Sequence, residues 1–137
     1  MISTVAVGTD GSETAREAVQ QAAEFARRFD AKLVLLSAFK DDPPPPDADE
    51  VQWSYSPAAQ LRGLLSRTEE EMNQQGIPCS TAVEEGDAAE VLVRLAGECD
   101  ADILVIGSKG MHRRVLGSVP NSVTHKAGCS VLVVKTT

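Results

Sequence analysis

The sequence predicts an α/β fold in three layers, α/β/α, in which a five-stranded parallel sheet of order 3-2-1-4-5 carries helices on both faces. Five short apolar runs alternate with segments whose apolar residues recur at helical spacing, which is typical of repeated β-α-β units. Four of these runs are apolar almost throughout, as expected for parallel strands covered on both sides. The 137 residues, 42% of them hydrophobic, suit one domain, residues 1–137, around one core.

The five apolar runs define the strands. They are predicted at Ile2–Gly8, Lys32–Phe39, Pro78–Glu84, Asp102–Ile106 and Ser130–Val134. The third run is the most polar and is expected at one edge of the sheet. The last run is apolar and forms the opposite edge, which normally needs cover. Pairing with a second copy across a two-fold axis would provide that cover, so we expect a homodimer through Ser130–Val134.

The first two helices are predicted from caps and apolar stripes. The first spans Ser12–Phe29 and opens on a serine N-cap. The second begins near Pro57, a residue favoured in the first helical position, and ends at Gly76. Its apolar stripe is Leu61, Leu64, Leu65, Thr68 and Met72. Between strand two and this helix, the proline-rich run 41–50 is expected to be a stiff connecting segment.

Two further helices follow. The third begins at Asp87, which has Glu90 three residues later as in a capping box. It is expected to bury Val91, Leu92, Leu95 and Ala96. The fourth is predicted at 120–127, between Pro120 and Gly128.

The charge balance excludes two classes of partner. With 13 Lys and Arg against 20 Asp and Glu, the net charge is −7, which disfavours binding to nucleic acid or to an anionic membrane surface. No secretory signal and no apolar run of membrane-spanning length is visible, so we expect a cytoplasmic protein. Cys79, Cys99 and Cys129 are odd in number and lack metal-ligand spacing, which indicates reduced, mostly buried thiols, neither catalytic nor metal-binding.

Two glycine-rich loops carry the functional signal. One is Gly8–Ser12 after strand one, and the other is Gly107–Asn121 after strand four. The predicted strand order places both at the topological switch point, where α/β sheets bind ligands. Glycines allow backbone N–H groups to approach an anion closely, and a helix N-terminus adds unpaired N–H groups, so we expect a phosphate or nucleotide site. Asp10 is either a ligand contact or a turn residue, and Lys109 is either a phosphate partner or a solvated cation.

The Gly8-Thr9-Asp10-Gly11-Ser12 turn, together with Gly107-x-x-Gly110 and Gly117-Ser118-Val119 before a Val-Leu-Val-Val strand, resembles the universal stress protein family over essentially the whole chain. The resemblance implies a nucleotide between strands one and four. By position, Gly8, Thr9 and Asp10 would border the adenosine, and Ala38 would lie beside the adenine. The ribose and phosphates would be surrounded by Gly107, Lys109, Gly110, Gly117, Ser118 and Val119. We add Asn121 because it lies near the start of the fourth helix.

One departure from the family pattern bears on the ligand. Six residues separate Gly110 from Gly117, fewer than is usual in the family. The loop either wraps the phosphates more tightly or grips a triphosphate less well, which makes AMP or cyclic AMP relatively more plausible.

The expected function is that of a nucleotide-binding regulatory protein of the stress response. Its cofactor would be ATP or another adenine nucleotide, with or without Mg²⁺. No catalytic residue is expected, and at most slow ATP hydrolysis, because no positioned nucleophile and base, and no Walker A loop, is present. Two alternatives stay open: a dimeric scaffold that binds no nucleotide, and a relative that binds cyclic AMP. An enzyme or flavoprotein is disfavoured by the 4% aromatic content.

Overall fold

Five parallel strands form one sheet in the order β3-β2-β1-β4-β5, as the sequence predicts. The computed structural model describes residues 1–11, 13–40, 57–108 and 117–136. The strands are β1 (Thr4–Gly8), β2 (Lys32–Phe39), β3 (Cys79–Glu85), β4 (Ile103–Gly107) and β5 (Ser130–Val134). β1 is central and pairs with β2 on one side and with β4 on the other. Val5 of β1 lies opposite Leu33 of β2 and opposite Ile103 of β4. The proline-rich run 41–50 lies outside the described residues.

Within the described residues, four helices cover the two faces of the sheet and complete the three layers. They are α1 (Glu13–Phe29), α2 (Pro57–Gln74), α3 (Ala88–Glu98) and α4 (Ser118–Lys126). Strand side chains alternate between the faces: Val5 and Val7 pack with α1 and α2, whereas Ala6 packs with α3 and α4. Burying each large strand residue, such as the fully buried Leu33, Leu35 and Leu104, contributes about 1.5–3 kcal/mol.

Three helices end in the same way before the chain enters a strand. A residue one or two positions beyond each helix has a positive φ: 55° at Asp30, 85° at Gly76 and 53° at Asp100. The next amide then reaches back five residues to a helix carbonyl in each case: Ala31 to Ala26 at 2.8 Å, Ile77 to Met72 at 3.0 Å and Ala101 to Ala96 at 3.0 Å. This is the Schellman motif, which satisfies carbonyls that the helix itself leaves unpaired.

Several predicted boundaries are wrong by one or two residues, for local reasons. β1 begins at Thr4, where the pairing with Lys32 of β2 starts. Gly107 belongs to β4 because it pairs with Val134. α4 begins at Ser118, two residues before the predicted start, and ends at Lys126. Pro120 is tolerated in its first turn, where an N–H would have no helical partner.

One burial prediction also needs correction. Leu64 was expected in the buried stripe of α2, but it is 41% exposed and faces the cleft towards α1 beside Gly11. Cys79, Cys99 and Cys129 are free and partly buried. The capping prediction for α3 is confirmed, since the Asp87 carboxylate accepts a hydrogen bond from the Glu90 amide at 3.2 Å. None of the helices in the described ranges is long and apolar enough to cross a lipid bilayer.

Candidate functional site

A cavity of about 240 Å³ opens at the carboxyl ends of β1 and β4. This is the switch point of the sheet, because the chain leaves β1 towards β2 on one side while β4 lies on the other. Its described lining is Gly8, Thr9, Asp10, Ala15, Ala38, Ala88, Leu92, Ile106, Gly107, Val119, Pro120 and Thr136.

Small residues create this space. Five lining residues are glycine or alanine, so their side chains end at Cβ or are absent: Gly8, Ala15, Ala38, Ala88 and Gly107. A Cβ added to Gly8 would lie 2.9 Å from Leu92 Cδ1, so the wall at this point is already closely packed. Leu92, Ile106 and Val119 make one side of the cavity apolar, which suits the flat face of a base.

The turn after β1 is fixed to the end of β2. The Thr9 amide donates to the Leu36 carbonyl at 2.9 Å, and the buried Ser37 hydroxyl donates to the Thr9 carbonyl at 2.5 Å. The Gly11 amide donates to Thr9 Oγ1 at 3.1 Å, and Gly11 has φ of +81°, a conformation that favours glycine. These bonds hold Thr9 and Asp10 at the cavity.

The turn after β4 is fixed to β5 in a similar way. The Ser108 amide donates to the Val134 carbonyl at 2.8 Å, and the Ser108 hydroxyl accepts from the Thr136 amide at 2.9 Å. Ser108 is 2% exposed. Gly107 and Thr136 therefore meet at the cavity rim, where a Cβ on Gly107 would lie 3.2 Å from Thr136 Cγ2.

Three helices start beside the cavity. Ala15 of α1, Ala88 of α3 and Val119 of α4 all lie in first turns and line it. The positive end of the helix dipole lies at such positions and attracts anions. The α3 terminus is capped by the Asp87 side chain, whereas the α4 terminus has Gly117 as its N-cap and no side-chain cap bond. The amides at the start of α4 are therefore better placed to bind an external anion than those at the start of α3.

The cavity holds little that could perform acid–base or nucleophilic chemistry. Asp10 is the one ionisable side chain among the described residues that line it. Away from it, burial raises the pKa of all three thiols, that of Cys79 to about 12, so they stay protonated near neutral pH. Across the described ranges, no three His, Cys, Asp or Glu side chains cluster closely enough to hold a metal ion.

A larger cleft of about 650 Å³ lies between α1 and α2. Its walls are long side chains that bond to one another: Arg27 donates to Glu24 and to Gln75, both at 3.1 Å. Apart from Thr9 and Gly11 of the turn after β1, it is lined by residues of α1, of α2 and of the position after α2, whereas the smaller cavity lies at the ends of β1 and β4. The smaller cavity is therefore the better candidate site, although it has the smaller volume.

Six of the predicted site residues meet at this cavity: Gly8, Thr9, Asp10, Ala38, Gly107 and Val119. Gly117 and Ser118 start α4 next to Val119 but are not among the lining residues, and neither is Asn121, which is exposed. Lys109 and Gly110 lie outside the described residues. The binding roles of all eleven predicted site residues stay predictions.

Sequence reasoning missed half of the described lining: Ala15, Ala88, Leu92, Ile106, Pro120 and Thr136. Five of these could have been found, because they end strand β4 or lie in the first five residues of helices that follow strands. No sequence signal pointed to Thr136, which lies beyond the last strand.

Comparison with known proteins agrees with this architecture. The model of the universal stress protein family matches residues 1–135. Universal stress protein Rv1636 of Mycobacterium tuberculosis is 36% identical, over 98% of this chain and 97% of its own length. Universal stress protein Sll1654 of Synechocystis is 34% identical, over 98% and 86% respectively. A solved universal stress protein in complex with cAMP is 29% identical, covers 99% of both chains and superposes with a TM-score of 0.78. The chain belongs to the universal stress protein family.

Proposed function

We propose that this chain binds an adenine nucleotide in the cavity at the ends of β1 and β4. The observation that carries the proposal is the convergence there of two glycine-containing turns and the first turns of three helices. Backbone amides supply the attraction for a phosphate, which suits a chain of net charge −7 that lacks a positive overall field.

The two ends of the ligand would meet different surroundings. The apolar side near Ala38, Leu92 and Ile106 fits the base, while the turn at Gly107 and the uncapped start of α4 fit the ribose and phosphate. Lys109, Gly110, Gly117, Ser118 and Asn121 are proposed to complete the phosphate end.

A nucleoside monophosphate or cyclic AMP is the favoured ligand. The solved relative at 29% identity is a complex with cAMP, and the short spacing between Gly110 and Gly117 leaves less chain to surround a triphosphate. ATP is the ligand with which the affinities of AMP and cyclic AMP are to be compared. Mg²⁺ would arrive on the phosphates, since Asp10 alone among the described lining residues offers a carboxylate.

We further propose a regulatory role in the stress response, in the cytoplasm, for a single domain covering 1–137. The described cavity supports binding better than catalysis, because it contains no nucleophile paired with a base. The partly exposed apolar strand β5 supports a homodimer formed through that edge.

Isothermal titration calorimetry with AMP, cyclic AMP and ATP, each with and without Mg²⁺, tests the ligand. Saturable heat is expected for at least one of them, with the monophosphates binding at least as well as ATP. Absence of heat for all six titrations contradicts the nucleotide proposal and leaves the dimeric scaffold, which the short loop also favours.

Gly8→Ala tests the location. The new Cβ would lie 2.9 Å from Leu92 Cδ1, so the Leu92 side chain, which lines the cavity, must shift and change the shape of the wall, and affinity should fall about tenfold. Gly63→Ala is the matched control, because nothing lies within 4 Å of its Cβ and it is remote from the cavity; its affinity should be unchanged. If a folded Gly8→Ala variant binds as tightly as the parent, the site lies elsewhere.

A further inference from the structure

Thr136 forms part of the cavity wall although it follows the last strand of the sheet. Its Cγ2 and Oγ1 atoms lie 3.2 and 3.6 Å from the position that a Cβ on Gly107 would occupy. The side chain therefore lies against the backbone of Gly107, which the proposed site assigns to the ribose and phosphate end.

Ser108 holds Thr136 in this place. The Gly107–Val134 pairing ends the β4–β5 ladder, and two bonds of Ser108 extend it: its amide to the Val134 carbonyl at 2.8 Å and its hydroxyl from the Thr136 amide at 2.9 Å. Because Ser108 is 2% exposed, losing either bond would leave a buried polar group unpaired. The chain after β5 is thus bound to the end of β4 and directed along the cavity rim.

The Thr136 hydroxyl has hydrogen-bonding capacity to spare. Only three of the described lining residues have polar side chains: Thr9, Asp10 and Thr136. Thr9 Oγ1 already accepts from the Gly11 amide, whereas the Thr136 hydroxyl has no hydrogen-bond partner within the described ranges. A hydroxyl both donates and accepts, so it suits a ribose hydroxyl as well as a phosphate oxygen.

We propose that Thr136 contacts the ligand of this site through its hydroxyl, and that Ser108 is the positioning residue that keeps it there. This inference rests on the proposed nucleotide binding. It adds the segment after β5 to the binding wall of a site whose other described walls come from the ends of β1, β2 and β4 and from the first turns of the helices.

Calorimetry with AMP on single variants tests the hydroxyl. Thr136→Val keeps the shape but removes the hydroxyl, and its affinity should fall roughly tenfold. Thr136→Ser restores a hydroxyl and should keep the affinity within about twofold of the parent. Thr81→Val makes the same chemical change on β3 at a buried hydroxyl that lacks a partner in the described part, so it should leave AMP binding unchanged.

A double-mutant cycle tests the positioning role. If Ser108 acts through Thr136, Ser108→Ala should weaken AMP binding, and the Ser108→Ala, Thr136→Val double variant should bind no more weakly than Thr136→Val alone. Additive losses would make Ser108 a merely structural residue and overturn that half of the inference.

The outcomes separate this inference from the proposed function. If the parent binds AMP and folded Thr136→Val binds it equally well, the hydroxyl contact is excluded while the nucleotide site stands. If the parent binds none of AMP, cyclic AMP and ATP, both the proposed function and this inference are overturned.

Discussion

Asp102 links the start of β1 to the start of β4. It therefore lies at the amino ends of these strands, whereas the cavity lies at their carboxyl ends. Its carboxylate accepts hydrogen bonds from the Ser3 amide at 2.8 Å, from the Thr4 amide at 2.9 Å and from the Ser3 hydroxyl at 3.2 Å. The two backbone bonds are the main reason why the pKa of Asp102 lies below its ordinary value of 3.8. Ionisation of the Asp102 carboxyl group therefore stabilises the folded state.

The lowered pKa gives a pH dependence with a definite sign. A carboxyl whose pKa is depressed in the folded state contributes its full stability above the ordinary value, and loses it as the pH falls from about 4 through the folded pKa. Asp102→Asn should lower the Tm by a few degrees at pH 7 and should remove this part of the acid sensitivity.

Thermal melts between pH 2 and 7 check this prediction, with Asp100→Asn as the control. Asp100→Asn removes the same charge nearby, at a residue whose positive φ asparagine also adopts, and it leaves the hydrogen bonds of Asp102 in place. Parallel profiles for the parent and Asp102→Asn would contradict the role given to Asp102.

Residues that act through a single hydrogen bond were the hardest to predict. Gly8, Asp10 and Gly107 were found because glycine and aspartate after an apolar run indicate a turn at the strand ends. Ser37 and Ser108 were not, because a buried serine is recognised only when its partner, 28 residues away in both cases, is known. Sequence spacing carries no information about such distant pairs.

At the level of elements, local signals sufficed for the strands and failed at some helix ends. β2 and β5 have the predicted bounds because polar residues flank their apolar runs. The end of α2 was marked by Gly76, but α1 and α3 use Asp30 and Asp100 for the same left-handed turn. Aspartate is compatible with that conformation but does not by itself predict it.

Two glycine-to-alanine changes should have opposite effects on stability. Gly76 has a positive φ, so Gly76→Ala should lower the free energy of unfolding by about 1 kcal/mol. Gly97 lies inside α3 with open space around its Cβ position, so Gly97→Ala should raise it by roughly 0.5–1 kcal/mol. Urea denaturation measures both. A stabilised Gly76→Ala variant would contradict the role given to this helix end.

For the molecule as a whole, the proposed homodimer depends on strand β5. Its residues Val131–Val134 are all partly exposed, and β5 is an edge of the sheet. The Val134 carbonyl is used by β4, so the alternation along a parallel strand directs the backbone groups of Val133 outward. Those groups are available to a second copy.

Val133→Pro should convert a dimer into a monomer. Proline removes the outward amide donor, keeps a similar volume and leaves the β4–β5 ladder in place. Val133→Thr keeps the donor and the shape, so that variant should remain dimeric. Light scattering after size-exclusion chromatography gives the masses. Dimers of both variants would show that β5 is not the interface, and a monomeric parent would remove the dimer altogether.

The three weakly acidic thiols have a practical consequence for following this molecule in solution. Since burial keeps Cys79, Cys99 and Cys129 protonated, maleimide dyes should react with them slowly near neutral pH. A single cysteine introduced at an exposed helix position, as in Ser66→Cys, should then label faster than the three native cysteines, which stay in place. The fluorescence of a dye at this position then follows a protein that keeps its three native cysteines.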